Sequence, residues 1–68
     1  MEIYKWEIFC NVNKESKTCN LLSIDHKNKR YLLELNLICN NFFHKQVSKT
    51  IFDILLNSIK EKGYKQLN

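Results

Sequence analysis

The sequence predicts an α+β domain: a three-stranded antiparallel meander with one C-terminal helix packed across one face, in the order β-β-β-α. Two patterns carry this expectation. Three successive segments alternate apolar and polar residues, the period of a strand with one buried face. The last third instead repeats its apolar residues every three to four positions, the period of a helix. Short polar runs separate the segments, with no Pro in the chain and a single Gly, Gly63.

The first strand is carried by Tyr4, Trp6, Ile8, Cys10 and Val12, which alternate with Lys5, Glu7 and Asn11. Asn13 to Lys17 is polar and reads as a turn. A second strand spans about Thr18 to Asp25. His26-Lys27-Asn28-Lys29 forms the next turn, with Asn28 the residue best suited to a positive φ. In the third strand Tyr31, Leu33, Leu35, Leu37 and Cys39 alternate with Arg30, Glu34 and Asn36.

These patterns also predict a register. A tight turn centred on Lys27 and Asn28 pairs Ile24 with Tyr31 and Leu22 with Leu33. A five-residue first loop then pairs Val12 with Thr18 and Ile8 with Leu22, which gathers the richest apolar set of each strand on one face. Strand two lies in the middle.

A helix is expected from about Asn41 to Lys62, with Asn40 or Asn41 as N-cap and Gly63 past its C-terminus. Lys60 and Lys62 suit the negative end of its dipole. Val47, Ile51, Ile54, Leu55 and Ile59 form the apolar stripe, joined by Ser48 and Ser58, with Phe52 and Leu56 at its edge. Gln46, Lys49, Thr50, Asp53, Asn57, Lys60 and Glu61 face water.

With 68 residues the chain is one domain, 1–68, with a thin core. No apolar run approaches the roughly 20 residues of a membrane span, so no membrane role is expected. The N-terminal residues lack the order of a signal peptide, and a cytoplasmic location follows. Three cysteines, Cys10, Cys19 and Cys39, are an odd number and read as reduced thiols. With His26 and His44 they lack the short paired spacing of a zinc site, so no metal is expected. The predicted register places Cys10 and Cys39 on the core face and Cys19 on the other. Without a glycine-rich phosphate loop, or an acid to orient His44 beside Cys39, neither cofactor, small-molecule substrate nor catalytic residue is expected.

Two surfaces remain as candidates. The uncovered sheet face and the helix edge present Ile3, Phe9, Leu21, Leu32, Ile38, Phe52 and Leu56, more apolar side chain than a thin domain needs to show. The second turn and the helix C-terminus gather Lys5, Lys27, Lys29, Arg30, Lys60, Lys62 and Lys65, within a net charge of +4. The first surface predicts a small non-enzymatic protein that binds and modulates a protein partner, itself a homodimer, for example a phage- or plasmid-borne inhibitor of a host enzyme. The second predicts, as the alternative, a nucleic-acid-binding accessory or regulatory protein. Arg30 is the chain's single arginine, which counts against base readout.

Overall fold

The computed structural model describes residues 6–38 and 45–68. Expectations placed on Ile3, Tyr4, Lys5, Cys39, Asn40, Asn41 and His44 therefore lie outside the described residues. The elements are β1 (Glu7–Asn13), β2 (Thr18–Asp25), β3 (Arg30–Ile38), β4 (Lys45–Gln46), α1 (Lys49–Glu61) and β5 (Lys65–Gln66). The class is α+β, with one helix among the described residues on a mostly antiparallel sheet. The meander β1-β2-β3 forms its centre as expected. Two short parallel strands extend it, β4 beside β1 and β5 beside β3, to the order β4-β1-β2-β3-β5.

The second hairpin has the predicted register, with Ile24 opposite Tyr31 and Leu22 opposite Leu33. Its turn is organised by Asp25, whose carboxylate accepts the Asn28 N–H at 3.1 Å. The left-handed residue is Lys29, with φ at 51°, and not Asn28. The first hairpin departs from expectation by one residue. Asn13 pairs with Thr18 and Phe9 with Leu22, so the loop holds four residues and not five. Its chemistry repeats that of the second. The Asn13 side-chain oxygen accepts the N–H groups of Glu15 and Ser16, and Lys17 closes the loop at φ 56°. A four-residue loop opened by an Asx side chain and closed by a left-handed residue fits the twist of the flanking strands.

That single step turns β1 over. Side chains alternate across a sheet, so a one-residue shift exchanges the two faces. Phe9 enters the core, while Trp6, Ile8, Cys10 and Val12 move to the opposite face. Farther along β3, the pairing jumps from Leu21–Glu34 to Cys19–Leu37. The extra residue is absorbed at Asn36, which takes φ 57° and donates its N–H to the Asn20 side chain at 3.1 Å. Such a bulge exchanges the faces again for the residues beyond it.

The helix begins at Lys49, not near Asn41, and Lys45–Gln46 is strand. Backbone pairing holds that strand: the Val47 N–H bonds the Cys10 carbonyl at 2.8 Å, and the Asn11 amide donates to the Val47 carbonyl. Ser48 is the N-cap, its hydroxyl accepting the Ile51 N–H. Val47 and Phe52, one before the cap and four after it, both pack on the core as a hydrophobic staple. Gly63 ends the helix as predicted, with φ at 83°. The bonds Gly63 N–H to Lys60 and Tyr64 N–H to Ile59 complete a Schellman motif.

The core consists of Phe9, Leu22, Ile24, Tyr31, Phe52 and Ile59, with Leu33, Val47, Leu55, Leu56 and Tyr64 packed against it. Leu22, at the centre, has no exposed surface. The helix therefore presents Phe52, Leu55, Leu56 and Ile59: Leu55 and Ile59 of the predicted stripe face the core with Val47, while Ile51 and Ile54 do not. Ile54 is 57% exposed. The apolar arc of α1 is wide enough that spacing alone does not choose its inner edge. Capping at Ser48 and the staple make the choice.

Replacing Phe52 with Ala is expected to cost about 3–5 kcal/mol, the usual loss for a buried aromatic. Ile54→Ala should stay within about 0.5 kcal/mol of the parent, as for an exposed site. A larger loss for Ile54→Ala than for Phe52→Ala in urea unfolding would show that the helix faces the sheet the other way round.

Candidate protein-binding face

The pairing registers arrange the face opposite the helix in transverse rows. One row is Ile8, Ser23 and Leu32, from β1, β2 and β3 in turn; the next is Cys10, Leu21 and Glu34. On the other side, Asp25 pairs with Arg30, and Trp6 continues the alternation of β1 on the same face. Ser23 is the smallest side chain of its row and stands between two branched neighbours. A depression of about 400 Å³ results, lined by Trp6, Ile8, Ser23 and Leu32 and mostly apolar. The molecule measures 19 Å along its shortest axis, the thickness of one sheet and one helix layer.

The edge of the depression is built on a buried charge. Asp25 has no exposed surface, yet its carboxylate is fully engaged. It accepts the Asn28 backbone N–H and side-chain amide, each at 3.1 Å, and the Arg30 Nε at 2.6 Å. Arg30 then continues across the sheet, its guanidinium carbon 5.2 Å from the centre of the Trp6 ring. The cation thus bridges β3 to the residue preceding β1, directly above the β2 carboxylate. Burial raises the Asp25 pKa. The hydrogen bonds from Asn28 and the charge and hydrogen bond of Arg30 outweigh it, and hold the carboxyl below its ordinary value. The Arg30 side chain remains 39% exposed. Its Nη groups make no hydrogen bond among the described residues, so part of the fork faces water beside the depression.

The basic end adjoins this edge. Strand β5 pairs Lys65 with Arg30, its N–H bonding the Lys29 carbonyl at 3.0 Å. Tyr31 donates its hydroxyl to Gln66, and the Asn68 amide both donates to and accepts from the Leu33 backbone. Lys60 and Lys62 sit in the last helical turn and its cap. His26 ties the end together, with ring nitrogens 2.9 Å from the Tyr64 hydroxyl and 3.2 Å from Glu7. The predicted meeting of second turn and helix C-terminus is thus present, with Lys5 outside the described residues.

The apolar candidates divide. Leu21 and Leu32 lie on the face opposite the helix, as expected. Phe9 and Phe52 are core residues and Leu56 packs against them, so these three are not surface anchors. Ile38 is 78% exposed, but the bulge removes it from this face, where Leu37 stands instead. Trp6 and Ile8, assigned to the core by the predicted register, line the depression. Their signal in the sequence was the Asn13–Lys17 loop, which matches Asp25–Lys29 in opening on an Asx residue and ending on Lys. Cys10 and Cys19 occupy the same face and are both buried, against the expectation that they stand on opposite sides. Among the described residues, no three His, Cys, Asp or Glu side chains gather as metal ligands, and no helix is long and apolar enough to cross a membrane.

Comparison with family models, with curated proteins and with solved structures finds no match to this chain.

The Asp25 interactions set an acid limit. A carboxyl held below its unfolded value of 3.8 contributes stability that is full above that pH and is lost as pH falls through the lower folded value. Asp25→Asn should therefore destabilise the domain near neutrality. The gap between variant and parent should close as urea unfolding is repeated at pH values stepped down through 3.8. A gap that stays constant with pH would show that the Asp25 charge does not contribute.

Proposed function

We propose that the protein is a small non-enzymatic binding protein of the cytoplasm that modulates a protein partner, and that the partner or a second copy docks on the open face of the sheet. The observation that carries this reading is the apolar depression between Trp6, Ile8, Ser23 and Leu32, bordered by Arg30. Trp and Arg are the side chains most often found to anchor protein interfaces, because each offers a large contact area with a polar edge. Here both are held in place before any partner arrives, which lowers the entropy lost on docking. The Asp25 carboxylate beside the depression is buried and fully hydrogen-bonded, an arrangement suited to a contact surface more than to proton transfer. An inhibitor of a host enzyme, carried by a phage or plasmid, would fit this description.

One observation favours a second reading. β5 lays Lys65 against Lys29 and Arg30, which gives the basic end a fixed shape on which phosphates of a nucleic acid could bind.

Replacing Ile8 and Leu32 together with Ser is expected to leave a cooperative thermal transition, since neither belongs to the core cluster. The same variant should lose self-association in light scattering, or lose the protein that the parent captures from host extract. A parent chain that is monomeric and captures nothing, or a variant that associates as the parent does, would refute the reading. A mobility shift with DNA or RNA that weakens steeply with salt would then favour the basic end.

A further inference from the structure

The sequence offers the uncovered sheet face and the basic end as competing candidates, and the fold makes the depression on that face adjoin the basic end. Arg30 belongs to both. Its Nε is fixed on Asp25, its plane lies near Trp6, and its backbone pairs with Lys65. Around this point the exposed cations among the described residues include Lys29 in the turn and Lys65 on β5, while the Asp25 carboxylate is buried and already hydrogen-bonded. The row that floors the depression, Ile8, Ser23 and Leu32, contains no charge. A ligand complementary to such a surface carries an apolar group to fill the depression and anionic groups beside it to meet the cations.

We propose that the depression receives an apolar side chain from an acidic segment of a protein partner, whose neighbouring carboxylates pair with the Nη groups of Arg30 and with Lys29 and Lys65. This rests on the open face being a protein-binding surface, and specifies what the partner presents to it. The geometry favours a carboxylate-bearing peptide over a nucleic acid for two reasons. Among the described residues the depression offers branched aliphatic walls where a base would need a flat stacking platform on both sides, and its one aromatic lining residue, Trp6, is already approached by Arg30. A guanidinium anchored through Nε still offers parallel N–H donors to a carboxylate, which an ammonium at that position would not.

Trp6 is the single tryptophan of the chain, so its emission reports directly on the depression. The probes are a blocked peptide of leucine and phenylalanine flanked by glutamates, the same peptide with glutamines, and a single-stranded oligothymidylate. The glutamate peptide is expected to shift Trp6 emission with saturation. Binding should weaken about tenfold with the glutamine peptide and about tenfold again in Arg30→Lys, the loss expected when hydrogen bonds between charged groups are removed. Arg30→Lys keeps a cation beside Asp25, and its thermal transition is checked alongside. Lys29→Gln with Lys65→Gln leaves the Asp25 cluster untouched and should weaken the glutamate peptide in the same direction.

Equal binding of the two peptides, or no effect of either basic-site variant, overturns the acidic partner while leaving the apolar depression as a docking surface. If neither peptide moves Trp6 while the parent still captures a protein through Ile8 and Leu32, the open-face reading survives and this one does not. If only the oligothymidylate binds, both fail in favour of a nucleic acid.

Discussion

The first hairpin closes over four residues because Asn13 takes the N–H groups of Glu15 and Ser16 on its side chain and Lys17 turns into the left-handed region. This local closure fixes how β1 lies against β2, and with it the identity of both faces of the sheet. Phe9 meets Leu22 under the helix, and Trp6 and Ile8 are carried to the opposite face. A loop one residue longer would invert the assignment and bury the site. The conformation of an exposed turn thus decides where the apolar surface of this protein is presented.

Given that register, Asp25 becomes the second organising element. A buried carboxylate without partners would be strongly destabilising, and here it meets three donors. The same contacts shape the second turn through Asn28 and extend Arg30 toward Trp6. Ionisation, turn geometry and the border of the depression are therefore one structural unit. An ion pair with a buried carboxylate is a weak argument for net stability, since well-packed apolar residues often do as well. Its physical consequence is positional: a cation is held at a fixed place beside an apolar surface.

The short strands β4 and β5 work at the sheet margins. Each pairs two residues, one along Phe9–Cys10 and the other along Arg30–Tyr31. The Asn68 amide extends the second by bonding both backbone groups of Leu33. Beyond that point the bulge at Asn36 interrupts the outer edge of β3, a common protection against strand addition. The edges are thus partly closed, and the apolar depression lies on the face of the sheet at the Arg30 end.

The sequence by itself determined the class, the order of the meander, the second hairpin register and the Gly63 stop. These follow from short-range causes: period-two alternation, turn-forming residues four apart, and the conformational freedom of glycine at positive φ. It also brought the second turn and the helix C-terminus to one end, because up-and-down connectivity leaves little choice. Tertiary structure decided the rest. Ile8 and Phe9 are both good strand residues, so alternation alone could not say which enters the core, and the choice fell to a loop length. Ile51 and Phe52 are likewise neighbours on one apolar arc, and the choice fell to the Ser48 cap and the packing of Val47. The strands β4 and β5 are two residues long, too short to show a period, and exist because β1 and β3 offer unpaired backbone beside them. The candidate site inherits this division. Its residues are plain in the sequence, but their meeting across three strands depends on register, and register is a property of the assembled sheet.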